Sequence, residues 1–104
     1  MIHIGIDEYV FDVLMPDLVG HDRSPSAFLV YLFLWCELFR SEQKRVPASL
    51  KQIAQGTGLS RSAVQSGLRI LKRRRLVVVT RSSATDTPRY ELQRHWIRRR
   101  VPRP

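Results

Sequence analysis

The sequence holds a single cysteine, Cys36, so no disulfide can form within the chain. Cys36 lies in an apolar run, which points to a buried thiol and fits a reducing, intracellular setting. That run, residues 27–36, is the longest apolar stretch and has ten residues. Crossing a bilayer takes roughly 20, so no membrane span is expected. Asp7, Glu8 and Asp12 stand where the cationic region of a signal peptide would lie, and a cytoplasmic, nucleoid-associated location is the expectation. Histidine is sparse and scattered at His3, His21 and His95, which gives no metal-ligand spacing. No glycine-rich phosphate loop or nucleophile motif occurs. Asp7, Glu8 and Asp12 only imitate a pair of catalytic carboxylates, and an acidic surface arm fits them better. Neither catalysis nor a cofactor, metal or small-molecule ligand is therefore expected.

Acidic residues are scarce in the second part of the chain. Residues 1–42 hold seven acids and two bases, net −5, whereas residues 43–104 hold two acids and sixteen bases, net +14. A basic half of this density attracts polyanions. The 104 residues suit one small domain, and 43% hydrophobic content supports one core.

The stretch "LKRRRLVVVT", residues 71–80, sets four cations, Lys72, Arg73, Arg74 and Arg75, against a run of valines. The cations repel one another while the valines demand burial. Reading along the chain shows what reconciles them. Residues 9–15 ("YVFDVLM") read equally as a short strand or an extended arm, broken by Pro16 and Gly20. Ser24-Pro25 opens a helix, with Ser as cap and Pro at the first position. The helix "AFLVYLFLWCELF" is apolar around almost its whole circumference, so it must be covered on several sides, by the other helices and by either the N-terminal segment or a second subunit. Residues 43–47 read as a polar loop. Ser49 and Gln52 form a capping box that opens a second helix, ended by Gly56 and Gly58. Ser60 caps a third, in which Val64, Leu68 and Leu71 share one face. Residues 76–80 form a strand, residues 81–87 a polar loop and residues 89–93 the returning strand.

Two helices joined by a short glycine-bearing turn form a helix-turn-helix. Ala54 would keep the helix crossing small, Gly58 would take the turn, and Val64 would pack the second helix of the pair against the first. "SPSAFLVYLFLW", "SLKQIAQGTGLSRSAVQSGLRILKRRRLVVV" and "PRYEL" together resemble the winged helix-turn-helix proteins found among bacterial, plasmid and phage replication proteins and transcription regulators. The resemblance covers about residues 24–93. It implies a mainly α fold with a small β-hairpin: a three-helix core plus a two-stranded wing, binding double-stranded DNA. The corresponding division is an N-terminal arm (1–22), a winged helix-turn-helix domain (23–93) and a basic C-terminal tail (94–104). Gly67 departs from the family pattern. It costs roughly 1 kcal/mol of helix propensity relative to Ala and would permit a close helix approach.

On this reading residues 72–75 end the recognition helix and the valines begin the wing. Helix-dipole stabilisation accounts for one or two C-terminal cations. Contact with DNA phosphate accounts for Lys72, Arg73 and Arg74, and Arg75 has an alternative use in pairing with Glu37 or Glu91. Base readout falls to Arg61, Ser62, Gln65, Ser66 and Arg69, since Arg forks onto guanine and Gln pairs with adenine. Phosphate contacts fall to Ser60, Thr57 and Lys51, with Arg81 and Arg89 in the wing. Arg94, Arg98, Arg99, Arg100 and Arg103 would track the backbone or form a solubility tail, and Trp96 reads as a core or dimer contact. The over-apolar first helix suggests a homodimer. The competing readings are a winged-helix protein-interaction module, which needs apolar groups on the third helix or wing, and an RNA-binding protein, for which only Tyr90 offers a sheet aromatic.

Overall fold

A computed structural model describes residues 3–97. They form a compact, mainly helical unit with a small three-stranded antiparallel sheet. After an N-terminal helical segment come α1 (Pro25–Ser41), β1 (Val46–Pro47), α2 (Leu50–Thr57), α3 (Arg61–Arg73), β2 (Val77–Thr80) and β3 (Arg89–Leu92), with the strands ordered β1-β3-β2.

The segment expected to be a strand or extended arm is helical through residues 8–21, and it runs through Pro16 and Gly20. Two wide π-type turns, Val10–Leu14 and Asp17–His21, flank Pro16. Met15 N–H reaches back to the Val10 carbonyl, and Asp22 N–H to Asp17. Proline removes a donor and crowds the preceding turn of an α-helix, and the widened turns on either side accommodate it. Val10, Leu14 and Leu18, four residues apart, are fully buried against the core. The next stripe, Phe11, Met15 and Val19, stays exposed.

α1 begins as its sequence dictates: the Ser24 hydroxyl accepts from Ala27 N–H at 3.2 Å, with Pro25 at the first helical position. Ser24 N–H also donates to the Leu18 carbonyl at 2.8 Å, tying the N-terminal segment to the start of α1. Ala27, Val30, Tyr31 and Leu34 are completely buried. The N-terminal segment, α2, α3 and the sheet all pack on α1, so the chain itself covers much of its apolar circumference, with Leu29 and Phe39 left exposed.

The Ser49–Gln52 capping box forms, with Ser49 Oγ accepting from Gln52 N–H at 3.1 Å and Gln52 Oε1 from Ser49 N–H at 2.8 Å. Gly56 lies inside α2 rather than ending it. A side chain there would strike the Phe33 ring, at 2.2 Å. Gly58 is the cap, at φ 80°, a left-handed backbone that glycine adopts without penalty. Gly67 sits where α3 meets the start of α1. A Cβ at that position would lie 3.1 Å from both Cα and N of Ala27 and from the Ser26 carbonyl carbon.

The polar loop expected at residues 43–47 contains a strand. Val46 pairs with Tyr90 and Pro47 with Arg89, giving β3 a second neighbour, and the hairpin of β2 and β3 becomes a three-stranded sheet. Two residues, one of them a proline, left no period-2 signal in the sequence, and Pro47 is tolerated because β1 is an edge strand.

Candidate nucleic-acid interface

α3 divides cleanly into two faces. At 100° per residue, Val64, Gly67, Leu68 and Leu71 occupy an arc of about 100°, and all four are buried. Arg61, Ser62, Gln65, Ser66, Arg69, Lys72 and Arg73 fall within an opposing arc of about 140°, and all are exposed. The five residues expected to read bases thus lie on one outward face with two of the expected phosphate cations. Arg61, Arg69, Lys72 and Arg73 have no carboxylate partner among the described residues.

The hydroxyls near the start of α3 have local employment. Ser60 Oγ caps the helix at Ala63 N–H, 3.2 Å away, and lies 3.2 Å from Ser62 Oγ. Thr57 Oγ1 donates to the Ile53 carbonyl at 2.7 Å and accepts from Leu59 N–H at 3.3 Å. Thr57 therefore braces the turn between α2 and α3. Lys51 is exposed in the first turn of α2. In the hairpin, Arg89 is exposed on β3, and Arg81 is exposed with its Nη1 donating to the Ala84 carbonyl at 3.3 Å. Tyr90, the only sheet aromatic offered for RNA stacking, is 2% exposed and belongs to the core, where burial pushes its hydroxyl pKa up.

The cationic run at residues 72–75 is resolved by the chain reversing within two residues. Arg75 takes a left-handed backbone at φ 56°, its N–H donating to the Lys72 carbonyl at 3.0 Å. Leu76 N–H then reaches the Leu71 carbonyl at 2.9 Å, and Leu76 is fully buried. This is the glycine-type helix ending with an apolar residue beyond it. It leaves Lys72, Arg73 and Arg75 outward and carries Leu76 and Val77 into the core, with Val78 exposed.

Arg74 departs from expectation. Its guanidinium is bound by Asp17, and its Nε lies 3.6 Å from Asp22 Oδ2. The pairing suggested for Arg75 does not form, because Glu37 pairs with Arg40, and Glu91 lies within 4 Å of Lys44 and Arg45. The helical period carried the signal. Extended from Arg61, it places Arg74 about 20° from Gly67, on the side that packs inward.

A second polar cluster joins the two ends of the described chain. Asp7 accepts from Arg94 Nη2 at 2.8 Å and from Trp96 Nε1 at 3.0 Å. Burial pushes the Asp7 carboxyl up, but these hydrogen bonds and the Arg94 charge outweigh it and hold the group below its usual range. Trp96 stacks on Tyr9 at 4.5 Å and lies parallel to Trp35 at 6.5 Å. Arg94 sits over the Trp35 ring at 5.1 Å. Trp96 is thus an intramolecular packing residue. Beside it opens a groove of about 680 Å³ lined by Trp35, Leu38, Phe39, Lys44, Glu91 and Arg94, among others. Arg98, Arg99, Arg100 and Arg103 lie outside the described residues. Among the described residues there is no group of three or more metal-ligating side chains, and no helix is long and apolar enough to cross a membrane. The chain matches no family model, no curated protein and no solved structure.

Proposed function

We propose that the chain is a winged helix-turn-helix protein that binds double-stranded DNA, as a transcription regulator or replication accessory factor. On this reading α2, the Gly58 turn and α3 are the helix-turn-helix, and the hairpin of β2 and β3 is the wing. One observation carries the proposal: the outward face of α3 presents Arg61, Ser62, Gln65, Ser66 and Arg69 together, with its cations lacking carboxylate partners among the described residues. An α-helix fits the major groove, where Arg and Gln make bidentate contacts with guanine and adenine. Lys72 and Arg73 at the end of α3, Lys51 on α2, and Arg81 and Arg89 in the wing supply phosphate contacts, which position the protein without reading sequence. Arg74, Thr57 and Ser60 leave that set, being engaged within the protein.

Selection of bound duplexes from a random pool tests the reading. A preferred sequence is expected. Arg69→Ala should then weaken it by about 1–3 kcal/mol and relax preference at one base position. Arg89→Ala should weaken all duplexes alike and reduce the salt slope by about 1. Enrichment of no sequence above random would remove the specific-regulator reading. The protein-interaction alternative has less support, since the outward face of α3 is polar, and Val78 is the exposed large apolar residue of the sheet.

A homodimer remains part of the proposal, on a different basis. The N-terminal segment packs on α1 and presents an outward apolar stripe of Phe11, Met15 and Val19, each about two-fifths exposed, while Leu29 and Phe39 of α1 are exposed to a similar degree. Sedimentation at micromolar concentration should show a dimer that Phe11→Ser converts to monomer. A monomeric parent protein would limit the reading to one α3 per site.

A further inference from the structure

The four cations at the end of α3 are not equivalent. Lys72, Arg73 and Arg75 are exposed, whereas the Arg74 side chain is 30% exposed and turned toward the N-terminal segment. Two carboxylates meet it there. Asp17 binds the guanidinium directly. The Asp22 side chain is only 9% exposed, and its Oδ2 has no hydrogen-bond partner among the described residues, facing Arg74 Nε at 3.6 Å. The other Asp22 oxygen lies 3.0 Å from Nδ1 of His21, an exposed side chain. With His21 neutral, the cluster of Arg74, Asp17 and Asp22 carries a net charge of −1 beside a helix face whose cations have no carboxylate partner among the described residues.

We propose that Asp17 and Asp22 are a built-in counter-charge that withholds Arg74 from a bound polyanion and thereby lowers the affinity of α3 for duplex phosphate. The inference rests on the DNA-binding reading. A guanidinium pairs equally well with carboxylate or phosphate through the same planar fork, so an intramolecular carboxylate competes directly with DNA. Both carboxylates are fixed in place. Asp17 lies one residue from the fully buried Leu18, and Asp22 N–H is bonded to the Asp17 carbonyl at 2.9 Å. The competitor is therefore present at high effective concentration. Each phosphate neutralised adds about 0.9 to the steepness of log K against log salt, so the number of cations in use is directly readable.

The experiment compares the full chain with Asp17→Asn, Asp17→Asn/Asp22→Asn and Arg74→Gln, each checked for folding by circular dichroism. Binding is measured to a random duplex at several salt concentrations and to immobilised heparin. Removing the carboxylates should tighten duplex binding roughly 5-fold or more, steepen the slope by about 0.9, and move heparin elution to higher salt. Arg74→Gln alone should leave the slope unchanged. In the carboxylate-free background it should abolish the gain. If the double variant does not fold, Asp17→Asn, at a position one-third exposed, and Arg74→Gln decide alone. An unchanged or shallower slope in the Asp variants, or a slope reduced by Arg74→Gln alone, overturns the proposal. A parent protein that binds heparin but no duplex sinks the DNA reading, and heparin elution of the variants then decides the counter-charge. A parent protein that binds neither overturns both.

Discussion

Leucine at position 67 is expected to cost about 3 kcal/mol or more of stability, at the upper end of overpacking effects, and to lower the melting temperature by roughly 10–20 °C. The reason is what Gly67 faces. Its hypothetical Cβ is 3.1 Å from backbone atoms of Ser26 and Ala27, and backbone cannot rotate aside as a side chain can. α1 would have to move away from α3, opening the contact that buries Val30, Leu34, Val64 and Leu71. Alanine is the informative control. It recovers roughly 1 kcal/mol of helix propensity while pressing the neighbours by a few tenths of an ångström, so a small net change is expected. Thermal and urea melts of both variants read the difference. A leucine variant melting within about 2 °C of the parent would mean the two helices separate at no cost.

Truncating Leu18 to alanine should destabilise by about 2–5 kcal/mol, the range for emptying a fully buried leucine site. Leu18 is 0% exposed, as is Val10, and Leu14 is 2% exposed. They belong to the common core, and the segment that carries Leu18 packs on α1. The comparison is Val19→Ala, one residue on and exposed, which should change stability little. Equal, small effects in urea melts would show that residues 8–21 contribute nothing to the core.

These two positions differ in how far the sequence disclosed them. Gly67 was legible as an anomaly: a glycine in the middle of an otherwise helix-favouring stretch suggests a close approach, although nothing in the chain says that Ala27 is the neighbour. The caps at Ser24, Ser49 and Ser60, the left-handed Gly58 and the two faces of α3 were legible because each is a local matter of a few residues. The N-terminal segment was not. Proline and glycine normally interrupt a helix, and the π-type turns that let it pass Pro16 have no compositional mark. β1 was too short to show a pattern, and its partner Tyr90 is 44 positions away. Within the candidate site, the exposed face of α3 followed from periodicity. The engagement of Arg74 required knowing that Asp17, 57 positions earlier in the chain, and Asp22 after it come back to meet it.

The Asp7–Arg94 contact spans 87 positions. Bringing such distant groups together carries an entropy cost that grows only slowly with separation, but it fixes an order of events. During synthesis the stack of Tyr9, Trp96 and Trp35 cannot close until residue 96 has left the ribosome. The helices can assemble first, with the aromatic clasp as the final act. Loss of Trp96 would then uncover Tyr9 and loosen the N-terminal segment.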